Sequence, residues 1–208
     1  MNIGVLGSGK GSNLQAIIDS IKAGILPVNI TVVISDVENS LILQRAREFG
    51  VPAIYINPGK FKTKLEPAIE SEYIKVLKKH NVELVVLAGF MRMLKDDFLK
   101  AFPNRVINIH PSLLPAFKGL EAWRQALEYG VRFTGCTVHF LDIGMDTGPI
   151  ILQAIVPVLA DDTPEVLHKR IHEQEHKIYP EAIRLFALDK IEIKDKKVII
   201  KPFLQFEG

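Results

Sequence analysis

Asn2-Ile3-Gly4-Val5-Leu6-Gly7-Ser8-Gly9-Lys10-Gly11-Ser12-Asn13, residues 2–13, carries an apolar run of strand length straight into a glycine-rich turn. Leu14, Ile17, Ile18 and Ile21 then recur at helical spacing as far as Gly24. A strand, a glycine loop and a helix in that order open a parallel α/β unit, and the loop N–H groups together with the helix dipole favour a bound phosphate. The loop is not a P-loop, because Gly9-Lys10 is followed by Gly11 rather than by Ser or Thr. It also falls short of a dinucleotide fingerprint: Gly7 and Gly9 fit, but the third glycine position is Ser12. Asp36 stands where a ribose-binding acid would follow, so a nicotinamide oxidoreductase stays open as a competing reading.

Working outward, strand and helix alternate. Strands are expected at Ile30 to Ile34, Val51 to Ile56, Leu84 to Leu87 and Arg105 to Ile109, with helices between them. That alternation predicts a doubly wound, mostly parallel sheet with helices on both faces. Beyond it, strands at Cys136 to Leu141 and Ile150 to Val158 read as a hairpin-like pair, and two short strands near Ile191 to Ile193 and Val198 to Ile200 as an antiparallel extension. Thr163-Pro164-Glu165 starts a helix that should stop at Tyr179 because Pro180 follows, and a second helix is expected over Glu181 to Leu188. A single domain, 1–208, is expected, with a nucleotide-binding half (1–110) and a half that completes the site (111–208).

The 208 residues suffice for a full core, and 48% hydrophobic against 24% charged residues is ordinary for a globular chain. A net charge of +2 without a long basic block argues against a nucleic-acid binder. One cysteine, Cys136, excludes an internal disulfide framework. The N-terminal apolar run is too short for a signal peptide or a membrane span, so the cytoplasm is the expected compartment.

Chemistry concentrates at Asn108-Ile109-His110-Pro111-Ser112-Leu113-Leu114-Pro115. Extended residues alternate sides, so Asn108 and His110 share one face at the mouth of a strand. An amide that can donate to an oxyanion beside an imidazole that can move a proton suits reaction at a carbonyl. Asp146, in the loop Asp142-Ile143-Gly144-Met145-Asp146, would stabilise the imidazolium if it lies close. His139 reads as a structural histidine, and Trp123 as packing. Met91, Met93 and Leu94 follow a strand end, where parallel sheets bind ligands, though core packing is the commoner fate of such residues. His172-Glu173-Gln174-Glu175-His176 matches the zinc-protease pattern H-E-x-x-H. Pro180 and the missing third ligand weigh against that metalloprotease reading.

Several of these segments together resemble one family. Gly11-Ser12-Asn13, Leu87 to Arg92, Asn108 to Pro115, Thr137 to Phe140, Met145 to Ile151 and Gln174-Glu175-His176 are similar, in order, to the motifs of folate-dependent formyltransferases. The glycine loop with Ser12-Asn13 and the late Gln174-Glu175-His176 narrow the resemblance to the branch acting on glycinamide ribonucleotide. Branches with an added N-terminal or C-terminal domain, the formyltetrahydrofolate deformylases and methionyl-tRNA formyltransferases, fit the length less well.

The resemblance implies a Rossmann-like formyltransferase fold and transfer of a formyl group from 10-formyltetrahydrofolate, as co-substrate, to the ribonucleotide amine in purine synthesis. It implies His110 as general acid and base, Asn108 as oxyanion donor, Asp146 as the carboxylate supporting the imidazolium, and Thr137 as a supporting hydroxyl. Gly11, Ser12, Asn13 and His172 would hold the phosphate, and Glu175 the ribose. Lys64, Met91, Arg92, Met93, Leu94, Asn108 and the loop Asp142 to Asp146 would hold the folate. Three departures stand out: Lys10 where asparagine is common, His172 where a lysine can serve, and Trp123 in place of a frequent histidine. No metal, nucleic acid or membrane is expected, and the chain would act as a monomer or homodimer on small molecules.

Overall fold

The computed structural model describes residues 1–202. Its strands are β1 (Asn2–Leu6), β2 (Asn29–Ser35), β3 (Ala53–Tyr55), β4 (Leu84–Leu87), β5 (Val106–His110), β6 (Phe133–Phe140), β7 (Ile150–Pro157), β8 (Ile191–Lys194) and β9 (Lys197–Ile200). The helices are α1 (Ser12–Lys22), α2 (Leu41–Glu48), α3 (Pro67–Lys79), α4 (Asp96–Ala101), α5 (Ala122–Tyr129) and α6 (Pro164–Ala187). β1 to β7 form one sheet in the order β3-β2-β1-β4-β5-β6-β7, and β8 and β9 form a separate antiparallel pair. β1 to β5 pair in parallel, whereas β6 runs antiparallel to β5 and to β7. The architecture is the expected doubly wound, mostly parallel α/β sheet.

Both faces are covered, which is why the central strands read as nearly continuous apolar runs. One core packs Val5, Val86, Ile107 and Ile109 against Leu14, Ile17, Ile18, Tyr179 and Ile183 of α1 and α6. The other packs Leu6, Val85 and Val106 against Tyr73 and Leu77 of α3 and Phe98 of α4. The order reverses between β2-β1 and β1-β4, so a crevice opens beyond the carboxyl ends of β1 and β4, the usual ligand site of open parallel sheets. Gly7 fills the narrowest point there: a Cβ would lie 2.7 Å from the Ala88 carbonyl oxygen and 2.4 Å from the Ile42 side chain.

α6 departs from expectation. It runs unbroken from Pro164 to Ala187 with Pro180 inside it. Proline removes one amide donor and disfavours the interior of a helix, but Tyr179, Ala182 and Ile183 on either side are wholly buried. Their burial holds the segment helical through the break. Thr163 caps the start as read, accepting from the Val166 N–H at 3.3 Å.

Tyr179 also fastens α6 to the sheet. Its hydroxyl lies 2.8 Å from the Leu87 carbonyl and 3.2 Å from that of Ile107, so it bridges the end of β4 and the beginning of β5. Tyr179→Phe would leave those buried acceptors without this donor, at a cost of about 1–3 kcal/mol, a fall in melting temperature of about 2–12 °C. Thermal unfolding of the variant measures this, and an unchanged midpoint would remove the bridge from the account.

Candidate active site

The glycine loop is built from both sides. Gly7 N–H donates to Ile34 O at 3.1 Å, and Ser8 N–H to Gly89 O at 3.1 Å. Ser8 Oγ in turn accepts from Met91 N–H at 3.0 Å, so the loops after β1 and β4 are tied together. Gly11 takes φ +72° as the N-cap of α1, a left-handed conformation that glycine adopts at low cost. The N–H groups of the first turn of α1 lack intrahelical acceptors, which makes this helix start suited to an anion.

Behind that turn, Asn13 donates from Nδ2 to Glu175 Oε2 at 2.9 Å. Both side chains are buried, and Asn13 Oδ1 has no partner among the described residues. His172 Nε2 stands 3.8 Å from the same carboxylate oxygen. Burial pushes the Glu175 carboxyl above its ordinary value, and the Asn13 bond, His176 and His110 only partly oppose it. Three of the five residues expected around a ribonucleotide, Asn13, His172 and Glu175, therefore sit together.

At the end of β5, Asn108 and His110 do share one face. The antiparallel register sets His139 of β6 opposite Asn108, and Thr137 opposite His110. Asp146, at φ +52° in the loop between β6 and β7, places Oδ2 at 3.5 Å from His110 Nδ1 and Oδ1 at 3.8 Å from His139 Nε2. Gly119 N–H donates to Asp146 Oδ2 at 2.9 Å and fixes the carboxylate. His110 Nε2 lies 2.9 Å from the Phe117 carbonyl oxygen. Both ring nitrogens thus face oxygen atoms.

His139 is the residue sequence reasoning undervalued. Its Nδ1 lies 2.9 Å from its acceptor, the Phe140 carbonyl oxygen. Burial holds the ring below its ordinary value, so it stays neutral and Nε2 carries the lone pair. Asn108 Nδ2 donates to that lone pair at 3.3 Å. The contact fixes which end of the amide is NH2 and leaves its second hydrogen for a ligand. Apolar neighbours on alternate positions gave no hint of this; only the β5–β6 register does.

Other expected positions divide. Thr137 is fully buried and donates to Ser112 O at 2.7 Å while accepting from Leu114 N–H and Gln153 Nε2, each at 3.0 Å. It holds the Ser112–Leu114 turn and does not face the crevice. Leu94, expected against a ligand, is a core side chain packed with Phe98 and Phe102. Arg92 turns its guanidinium away, to Asp36 Oδ2 at 2.6 Å and to the carbonyls of Phe61 and Lys62. That pairing also occupies the acid on which a nicotinamide reading depends. Met91, Met93, Ile143 and Met145 are each at least half exposed around the crevice, with Gly144 N–H donating to Asp142 Oδ1 in the same loop. Lys64 reaches the area through its bridge to Met93, with its ammonium 4.3 Å from the Phe61 ring centre. His172 and His176 stack ring to ring at 6.0 Å rather than converging on one point, and the described residues contain no group of three metal-ligating side chains.

The formyl transferase model matches residues 1–183. The chain belongs to the formyl transferase family. It is similar to the crystal structure of glycinamide ribonucleotide transformylase 1 from Symbiobacterium toebii, with TM-score 0.93 and 52% identity over 97% of this chain and 94% of that one. It is 42% identical to the phosphoribosylglycinamide formyltransferase of Bacillus subtilis over 86% of this chain and 91% of that protein. It is 43% identical over 93% of its length to the trifunctional purine biosynthetic protein adenosine-3 of Chironomus tentans, but spans only 14% of that protein. No helix among the described residues is long and apolar enough to cross a membrane.

Glu175 supplies a test of this electrostatic picture. A carboxyl raised by burial favours the fold below its ordinary value of 4.5 and loses that advantage as pH rises through the folded-state value. Glu175→Gln keeps an acceptor for Asn13 without the buried charge. The variant is expected to melt about 2–4 °C above the parent near neutral pH, with the gap closing near pH ~4. A melting temperature below the parent at neutral pH would contradict it.

Proposed function

We propose that this chain is a phosphoribosylglycinamide formyltransferase, moving a formyl group from 10-formyltetrahydrofolate to the amine of glycinamide ribonucleotide. One observation carries the reading: Asn108, His110 and Asp146 converge at the end of β5, beside an anion-receiving glycine loop. The full-length likeness to chains bearing that name supports the choice of substrates.

The phosphate sits on the N–H groups of Gly11, Ser12 and Asn13, with His172 beside them, and Glu175 and the unpartnered Asn13 Oδ1 meet ribose hydroxyls. The folate lies over Met91, Met93 and the Ile143–Met145 loop, with Lys64 toward its acidic tail. Side-chain contacts from Arg92 and Leu94 are not part of this arrangement; these two residues offer their backbone only.

Two bound substrates in register remove the entropic cost of their encounter. The neutral amine adds to the formyl carbon, forming the new C–N bond and an oxyanion. Asn108 donates its free amide hydrogen to that oxygen, held in aim by His139, and His110 lies alongside on the same strand end. The amine nitrogen then loses its proton as the folate N10 gains one, and the C–N10 bond breaks. His110 and Asp146 carry that exchange, with Thr137 acting through the turn it holds.

His110→Ala and Asp146→Asn should each lower kcat about a hundredfold or more with a smaller change in KM. Steady-state formyl-transfer kinetics decide this; turnover within a few-fold of the parent in either variant would remove the assignment. His139→Leu should lower kcat about tenfold by freeing the Asn108 amide to rotate, again at nearly unchanged KM. A change confined to KM would show that His139 does not aim the amide.

A further inference from the structure

Along α6, His168, His172 and His176 follow at helical spacing and form a row of rings. Trp123 of α5 stacks on His168 with ring centres 3.6 Å apart and planes 9° from parallel. His168 and His172 follow at 4.0 Å, and His172 and His176 at 6.0 Å. The row passes the glycine loop, where Lys10 faces both His168 and His172.

We propose that the His168–His172 pair takes up a proton as the ribonucleotide phosphate settles on the glycine loop, forming the cation that binds it only when it arrives. The inference rests on the substrate reading above. In the free protein, burial and the Lys10 charge hold His172 neutral, and burial, His172 and Lys10 push His168 down to about 4. Among the other charged groups facing the row, Glu175 stands beside His172 itself, with its carboxyl raised by burial, and Asp19 of α1 and Glu173 of α6 face His176. A phosphate dianion cancels the Lys10 charge and adds to the negative charge of the Glu175 carboxylate, 3.8 Å from His172 Nε2, so the imidazolium becomes the favoured form. At 4.0 Å separation only one ring of the pair carries the proton. Trp123 shares that charge through its π face. Through this pair, affinity rises as pH falls, until protonation of the phosphate near pH ~6 removes the dianion.

The test is calorimetric binding of glycinamide ribonucleotide in two buffers of different ionisation enthalpy, near pH ~7.5, for the parent and His172→Lys. Protonation changes of the substrate amine and phosphate are common to both proteins and cancel in the difference. The parent should take up about one proton more than H172K, whose ammonium is charged beforehand. Equal proton counts would overturn the inference while leaving the substrate reading intact, and failure of the parent to bind the ribonucleotide would overturn both. Should H172K not fold, the chain's single tryptophan reports on the parent alone. Trp123 emission should be quenched on saturation with the ribonucleotide as its stacked partner gains charge, and unchanged emission would overturn the proposal.

Discussion

The antiparallel return of β6 along β5 is the constraint on which the candidate site depends. Because His139 stands opposite Asn108 and Thr137 opposite His110, one register supplies the acceptor that aims the amide and the hydroxyl that holds the following turn. A slip of β6 by one residue would carry His139 and Thr137 to the other face, where Val138 and Phe140 now pack into the core. Burial of those two residues therefore fixes the chemistry as firmly as any contact within the site. Asp146 depends on the same pairing, since its loop joins β6 to β7 and delivers the carboxylate between two imidazoles.

Much of this was legible in the chain because the signals were local. Apolar runs ending in turn residues located β1 and β4, and period-two alternation put Asn108 and His110 on one face. Pro180 misled for an instructive reason: the penalty for proline is local, whereas the burial of Tyr179, Ala182 and Ile183 that outweighs it is tertiary. The Arg92–Asp36 pair joins residues 56 apart and leaves no trace in either segment. His139 carried only the pattern of a strand residue, and its partner became visible once two strands were paired. Leu94 looked like a ligand contact because it follows a strand end, but α4 closes over it.

The site also holds charge and polar groups where the fold would prefer none. Glu175 is buried with a raised carboxyl, Asn13 Oδ1 has no partner, and three imidazoles lie in a row held neutral by burial and their neighbours. Each arrangement costs stability in the empty protein and becomes favourable when a polar, anionic ligand enters. On the proposed reading these strained groups, concentrated between α1 and α6 and kept in place by the apolar layers on either side of the sheet, are the substrate-binding elements.

The central claim is that the formyl group passes to the ribonucleotide amine rather than to water. Spectroscopic release of tetrahydrofolate from 10-formyltetrahydrofolate, followed with and without glycinamide ribonucleotide, tests it most directly. The account predicts release only when the ribonucleotide is present, with one formylated product per folate released. Release at the same rate without the ribonucleotide, or none in its presence, would contradict it.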